Sequence, residues 1–391
     1  MRMVSRTGVA LTALSTACFV SVTSENLPVA LLPQLTAGFG VSESAVGLLM
    51  TGYAVVVAVS VVPLVAATAG WDRRTTALGA VAAVVASNLL LAVAPGYGVA
   101  VAARLVAAVG HGVFWSVVAP MAARLVGSGR SGRATAVVFA GNSLAFLVGL
   151  PLGSWLGTTL GWRLTVLLMA VVAALSAVAI RLTVDPMPAD GPARRRSPVR
   201  EVLSDRSLIP VNVVTLVVVT GHFAAFTYIT AIIADYAHLT GSATSALLLA
   251  YGALGLVGLV LIGRHVDRRP LATALAVTGG LGACLLVPLV AGPGVLAGGA
   301  VVLWAAPAGG LAVVLQAAVL RAATDRPDLA SAVYVVAFQV GIALGAWAGG
   351  VFLDRGALPA ALATAVVCGL VAAVVAGRSA AFNRVPADHL R

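Results

Sequence analysis

Long apolar runs separated by short polar breaks occupy almost the whole chain of 391 residues. A run of about 20 apolar residues forms a helix that spans the hydrocarbon core of a bilayer. The runs do not alternate apolar and polar residues over segments of about ten, as the strands of a membrane β-barrel would. We therefore predict an all-α membrane protein. The twelve predicted transmembrane helices cover residues 7–32, 43–69, 75–94, 97–126, 134–159, 162–184, 209–236, 243–263, 271–291, 293–320, 329–352 and 357–377.

One polar stretch, DPMPADGPARRRSPVREVLSDRS at residues 185–207, interrupts this pattern after the sixth predicted helix. It divides the chain into halves that resemble each other: WDRR at 71–74 recurs as VDRR at 266–269. A repeated six-helix unit is typical of transporters that bind their substrate near the midplane of the membrane. We predict two pseudo-symmetric six-helix bundles. The N-terminal bundle covers 1–184, a cytoplasmic linker covers 185–208, and the C-terminal bundle covers 209–391.

The charged residues are few and lie at the ends of the apolar runs. The chain has a net charge of +11 and a mean hydropathy of +1.05, but only 9% of its residues are charged, against about 25% in soluble proteins. All 24 basic residues are arginines, and their positions indicate membrane topology and no nucleic-acid partner, since arginine-rich loops stay in the cytoplasm. We expect both termini to be cytoplasmic. The loops assigned to that side hold Arg73, Arg74, Arg124, Arg130, Arg133, Arg194 to Arg196, Arg200, Arg206, Arg264, Arg268, Arg269, Arg321 and Arg326, and the opposite loops hold Arg163 and Arg355.

Two side chains of opposite charge lie inside predicted helices at the same depth. Glu25 is about seven residues below the outer end of helix 1, and Arg104 is about as far below the outer end of helix 4, which places both roughly 10 Å deep. A charge at that depth faces the bundle interior or a water-filled cavity. We predict that Glu25 carries a proton or contacts substrate, with Arg104 and with His111 two turns deeper on the face of Arg104. A fixed structural pair of Glu25 and Arg104 is the alternative.

Other polar and aromatic side chains within the helices are candidates for a substrate site. Trp115 follows His111 by one turn, near the midplane, so the fourth helix presents a wall that is charged near the outer end and aromatic further in. The candidates for substrate binding are Asn26, Phe114, Trp115, Asn142, His222, Tyr228, Gln316 and Gln339.

Four stretches of the chain resemble the twelve-helix drug:proton antiporter branch of the major facilitator superfamily. They are TSENLPVALLP in helix 1, ARLVAAVGHGVFWSVVAPMAARL in helix 4, GNSLAFLVGLPLG with the following GWR in helix 5, and the basic turn in each half. Within that branch the chain is similar to bacterial sugar (arabinose-type) efflux transporters and chloramphenicol exporters. The resemblance implies the major facilitator fold, with substrate between the halves, and it favours a functional acid in helix 1.

The same resemblance assigns two sets of motif residues. The basic turns, linked in the family to gating, correspond to Asp72, Arg73 and Arg74 in the first half and to Gly263, Asp267 and Arg268 in the second. The glycine-proline motif of helix 5, linked to exporters, corresponds to Gly141, Gly149, Pro151 and Gly153. Simple helix packing is the alternative explanation for these glycines, since small residues let helix backbones approach closely.

The sequence lacks the motifs of other function classes. A chain without lysine has no phosphate-binding loop of the ATPase type, and it shows no metal cluster and no catalytic constellation, so we expect a transporter and not an enzyme. The expected function is secondary active export of a small organic solute, drug or sugar, by alternating access in exchange for protons. A proton-independent facilitator of the same fold and a non-transporting membrane receptor remain alternatives.

The location of the protein and its partners also follow from the apolar runs and the positions of the arginines. We expect a monomer in the bacterial inner membrane, with the bilayer and a small-molecule substrate as its partners. No cofactor and no metal are expected, because the proton gradient supplies the energy.

Overall fold

The computed structural model describes residues 2–68, 70–126, 131–188, 205–322 and 327–383. Every regular element within those ranges is helical, which confirms the prediction of an all-α protein. The predicted linker at 185–208 lies largely outside the described residues, as do Arg130, Arg194 to Arg196, Arg200 and Arg326.

The helices follow one another with short connections. The first half contains α1 (Arg2–Ala30), α2 (Leu32–Phe39), α3 (Glu43–Thr68), α4 (Arg73–Ala92), α5 (Tyr97–Val126), α6 (Ser131–Leu144), α7 (Leu150–Thr159) and α8 (Trp162–Thr183). The second half contains α9 (Ile209–Phe226), α10 (Ile229–Ile232), α11 (Ser242–His265), α12 (Pro270–Ala291), α13 (Val295–Ala322), α14 (Pro327–Asp354), α15 (Leu358–Arg378) and α16 (Ala380–Asn383). Single π-helical turns follow α6, at Ala145–Gly149, and α10, at Ile233–Ala237.

Most of these helices are suited to a lipid environment. Among the described residues, eleven helices are long and apolar enough to cross a membrane. The remaining predicted span, 134–159, corresponds to α6, its π turn and α7, which run on without a gap. The twelve predicted helices are therefore all present as helical segments.

Three of the predicted helices are interrupted where the sequence analysis expected continuous ones. The first breaks at Leu31, before Pro33 in the first turn of α2, and the fifth passes through a π turn before Pro151. Proline has no amide hydrogen and clashes with the carbonyl four residues earlier, so the helix must adjust there. The seventh breaks at Tyr228, which has φ −113° and ψ 26° and whose hydroxyl donates to the carbonyl of Ala346 on α14, at 3.0 Å.

The chain divides into two compact units. Unit 1 comprises Met1–Val41 and Gly52–Arg195, and unit 2 comprises Ser42–Thr51 and Arg196–Arg391. The first turns of α3 thus belong with unit 2, where the Ser44 hydroxyl donates to the Asp354 carboxylate at 2.5 Å. The sequence-based division had placed that segment in the N-terminal bundle.

Within unit 1, glycines let α1 lie directly against α6 and α7. A Cβ added at Gly141 would overlap the carbonyl oxygen of Ser15, and one at Gly149 would overlap the Thr23 hydroxyl. One added at Gly153 would lie 2.9 Å from Leu27 Cδ1. The glycines of the helix 5 motif therefore serve close helix packing in this structure, and they hold in place the stretch of α1 that contains Glu25.

Adding a methyl group at this contact should destabilise unit 1. We expect Gly141→Ala to lower the free energy of unfolding by about 1–3 kcal/mol, the usual cost of overpacking, because the obstructing atom is backbone. Thermal unfolding in detergent measures this. Gly79→Ala on α4 is the matched control, since its Cβ meets nothing within 4 Å, and it should be neutral or slightly stabilising. Equal unfolding temperatures for both variants would contradict the close packing.

Candidate functional site

Glu25 and Arg104 meet inside unit 1, where α1 packs against α5. Both residues are buried, with 9% and 1% of their surface exposed. The sequence analysis placed them at one depth because each lies about seven residues below the outer end of its helix. In the structure the two residues meet through the backbone: the guanidinium of Arg104 bonds to carbonyl oxygens of α1 and not to the Glu25 carboxylate.

Arg104 satisfies backbone carbonyls near a proline in α1. Its Nη1 donates to the carbonyl oxygen of Ser24 at 2.7 Å, and its Nη2 donates to the carbonyl oxygen of Glu25 at 2.6 Å. Pro28 lies within α1 four residues after Ser24, so it has no amide hydrogen to offer that carbonyl. A buried carbonyl without a partner is costly, and the arginine supplies the missing donor.

Tyr53 on α3 joins this pair, and the sequence analysis missed it. The guanidinium carbon of Arg104 lies 4.6 Å from the centre of the Tyr53 ring, which is cation–π geometry. The Tyr53 hydroxyl lies 3.0 Å from Nδ1 of His111. The signal that could have found it is a hydroxyl-bearing ring in the apolar stretch GYAVVVAV.

The carboxylate of Glu25 faces His111. Its Oε2 lies 3.7 Å from Nδ1 of the imidazole, and these side chains are 11% and 9% exposed. One nitrogen therefore stands between a tyrosine hydroxyl and a carboxylate. Without a proton, Nδ1 accepts from Tyr53, and with a proton it can donate to Glu25. The arrangement can hold a proton on either of two side chains that lie within one network.

The remaining site residues predicted in unit 1 are two aromatic and two amide side chains, and their contacts differ. The ring of Trp115 lies 6.2 Å from that of His111 and 5.8 Å from that of Phe114, so these three side chains of α5 are neighbours. Asn26 is buried, and its amide donates to the carbonyl of Val22 in its own helix at 3.0 Å. Asn142 lies half-buried on α6.

The predicted substrate residues of unit 2 differ in their burial and in their hydrogen-bond partners. His222 is buried among aromatic rings, stacked on Phe226 at 5.3 Å. Tyr228 is fully buried and bonded to the α14 backbone, which are the contacts of a packing residue. Gln316 donates to the Ser331 hydroxyl at 2.9 Å, while Oε1 of the buried Gln339 has no hydrogen-bond partner.

The basic turn of unit 1 caps a helix. Asp72 precedes α4, and its carboxylate accepts from the amide of Thr75 at 2.9 Å. The amide of Arg73 donates to the carbonyl of Met187, at 2.8 Å, and Nη1 of Arg74 donates to that of Val184, at 3.1 Å. The turn is thus tied to the segment that follows α8.

The turn of unit 2 is more open. Asp267 lies 3.7 Å from Nη1 of Arg321 at the end of α13, while Gly263 and Arg268 both lie at exposed positions. Burial lowers the pKa of the Arg321 guanidinium, and the Asp267 carboxylate opposes that shift. Among the described residues, no three His, Cys, Asp or Glu side chains are grouped as a metal site.

Long apolar helices, two compact units and a buried charged network in unit 1 together define a multi-pass membrane transporter. The sequence model of the Major Facilitator Superfamily matches residues 14–346. The chain therefore belongs to this superfamily, and it is a transporter and not an enzyme.

Two similar proteins of known description are named as efflux proteins. The chain is 40% identical over 355 residues to a chloramphenicol efflux pump of Mycobacterium tuberculosis, which covers 88% of this chain and 86% of the pump. It is 32% identical over 339 residues to a probable sugar efflux transporter of Mannheimia succiniciproducens, which covers 85% of this chain and 84% of that protein. The resemblance seen in the sequence is thereby confirmed.

Solved structures show the same fold. A peptide transporter POT in complex with alafosfalin has a TM-score of 0.75 at 15% identity, over 95% of both chains. A POT family transporter in complex with 5-aminolevulinic acid has a TM-score of 0.74 at 12% identity, over 93% of this chain and 94% of the other. At these identities the likeness concerns the fold alone.

Replacing Arg104 should destabilise the protein. Lysine lacks the planar fork of arginine, so Arg104→Lys cannot serve both carbonyls of α1. We expect the free energy of unfolding to fall by about 1.5–3 kcal/mol, the value of a hydrogen bond to a charged group. Thermal unfolding in detergent measures it. Arg6→Lys is the control, because Arg6 is 57% exposed in its pair with Asp185 and should change stability by less than about 1 kcal/mol. Similar unfolding of both variants would refute the role given to Arg104.

Because Asp72 caps a helix through its carboxylate, the free energy of unfolding should depend on pH. Partial burial alone would raise the pKa of this carboxyl, but hydrogen bonds from Thr75 and the Met187 amide outweigh burial and hold the pKa below its ordinary value of 3.8. The cap therefore stabilises the fold above that pH, and its contribution disappears as pH falls through the lower, folded pKa. We expect Asp72→Ala to cost about 0.5–2 kcal/mol at neutral pH. The difference from wild type should shrink on acidification, and unfolding temperatures across pH test this.

Proposed function

We propose that the protein exports a small organic solute in exchange for protons. The observation that carries this proposal is the buried contact between Oε2 of Glu25 and Nδ1 of His111, at 3.7 Å. A carboxylate and an imidazole at that separation can pass one proton between them with a small movement. The efflux proteins among the relatives support export as the direction.

Tyr53 and Arg104 position the two groups between which the proton would move. When Glu25 holds the proton, Nδ1 of neutral His111 can keep the hydrogen bond of the Tyr53 hydroxyl at 3.0 Å. When the proton moves to Nδ1, the hydroxyl must rotate away, and the imidazolium pairs with the Glu25 carboxylate. Arg104 holds the backbone of Glu25 throughout, so only side chains have to move.

In the proposed cycle, Glu25 takes a proton from the outer side and releases it to the cytoplasm as the two bundles alternate access. Each elementary charge crossing the membrane contributes about 2.3 kcal/mol per 100 mV. The arginine-rich loops favour cytoplasmic termini in a bacterial inner membrane. We propose a monomer that needs the bilayer, a proton gradient and its solute, without a cofactor, a metal or a nucleic-acid partner.

The solute class is proposed from the relatives. Amphenicols are the first candidates, because the chloramphenicol efflux pump is more similar to this chain than the probable sugar efflux transporter is. Sugars are the second.

A proton-independent facilitator of the same fold is the rival function. The guanidinium of Arg104 is bonded to the backbone carbonyl of Glu25, which is a contact that a purely structural site would also make. In that case Glu25 and His111 would be a fixed pair, and solute would cross without proton movement.

Transport assays in liposomes with a pH-sensitive dye test the proposal. We expect wild type to move protons when chloramphenicol or arabinose is added under an imposed gradient, and we expect Glu25→Gln to lose that movement, because glutamine cannot carry the proton. Asp235→Asn is the matched control, since Asp235 is an exposed carboxylate of unit 2, and it should couple as wild type does. Solute flux without proton movement in all three proteins would refute coupling and favour the facilitator.

A further inference from the structure

A second cluster of interest lies in unit 2 and consists of four buried rings: His222 and Phe226 on α9, Tyr251 on α11 and Trp304 on α13. The ring of Trp304 lies 5.1 Å from His222, 6.2 Å from Phe226 and 5.7 Å from Tyr251. The sequence analysis named His222 alone among these. We call the four side chains the aromatic cage.

The cage contains polar atoms without partners. Nδ1 of His222, the hydroxyl of Tyr251 and Nε1 of Trp304 are buried and have no hydrogen-bond partner in the structure. These residues are 9%, 5% and 0% exposed. Buried tyrosine and tryptophan usually bond their polar ends, and a buried donor without a partner is costly. Three such atoms in one ring cluster indicate that something else bonds there.

The helix that carries two of the rings is interrupted beside them. The helix α9 ends at Phe226, and α10 resumes only at Ile229. Thr227 and Thr230, at this break, also bury hydroxyls without partners. Interrupted transmembrane helices are typical of substrate sites in transporters, since the broken segment can move more easily than a continuous helix.

The opposite wall of the cage is fixed. A Cβ on Gly258 of α11 would overlap the carbonyl of Ala306 on α13, and one on Gly309 would overlap the carbonyl of Gly255. The backbones of α11 and α13 are therefore in direct contact, which holds Tyr251 and Trp304 in place. Access to the cage would come from the side of α9.

We propose that the aromatic cage binds an electrically neutral ring of the exported solute that carries a hydrogen-bond acceptor. The indole N–H of Trp304 is a donor only, so the group carried by the bound ring must accept, as a nitro oxygen does. The four side chains include no carboxylate and no guanidinium, and aromatic side chains suit contact with a flat ring. This inference rests on the proposed export function and names the part of the solute that unit 2 recognises.

Equilibrium binding without any gradient tests the cage separately from proton coupling. Radiolabelled chloramphenicol and its analogue with hydrogen in place of the nitro group are bound to purified protein in lipid nanodiscs. We expect Trp304→Phe to raise the Kd for chloramphenicol about tenfold, the effect of one lost hydrogen bond. The Kd for the analogue should change less than twofold. Tyr251→Phe, which removes only a hydroxyl, provides a second variant with little risk to the fold.

Trp347→Phe is the matched control, because Trp347 lies in unit 2 and is 53% exposed, and it should leave both Kd values unchanged. The inference is overturned if Trp304→Phe and Tyr251→Phe bind both probes as wild type does, which would assign the unpartnered atoms to internal water. It is also overturned if both probes weaken equally, or if wild type binds neither. Loss of coupling in Glu25→Gln would leave these binding results intact, so failure of the cage and failure of proton coupling are separate outcomes.

Discussion

The pair of hydrogen bonds from Arg104 to the carbonyls of Ser24 and Glu25 is the interaction on which the site of unit 1 depends. Pro28 leaves the carbonyl of Ser24 without a helical partner, and a carbonyl in a bilayer-spanning segment must find one. The neighbouring helix α5 provides this partner, which is the guanidinium of Arg104. The same charge then lies over the Tyr53 ring, so three helices share one buried contact.

That contact positions the two groups to which we assign the proton exchange, Glu25 and His111. Tyr53 holds Nδ1 of His111 at 3.0 Å, and Glu25 approaches the same nitrogen from the other side at 3.7 Å. The glycines of α6 and α7 fix α1 against them. These glycines belong to a motif linked to export, and here their physical role is to remove side-chain bulk where two backbones meet.

The two units carry different chemistry within their described residues. The network of unit 1 contains a carboxylate, a guanidinium and an imidazole, whereas the aromatic cage of unit 2 is made of four rings without a carboxylate or a guanidinium. This contrast suits a division in which one unit couples to protons and the other recognises the neutral ring of a solute. Transporters with different solutes could then share the charged network of unit 1 and differ in the aromatic cage of unit 2.

The sequence by itself determined the membrane class, the helical fold and its repeat, because apolar runs of sufficient length have few alternatives in lipid. It also located Glu25, Arg104 and His111, since a charge within an apolar run is conspicuous. Only the tertiary structure decided that Arg104 bonds to carbonyls and not to the carboxylate, that Tyr53 belongs to the network, and that Trp304 packs against both His222 and Tyr251. Aromatic residues are common in apolar helices, and which of them meet depends on the rotation and packing of helices distant in sequence.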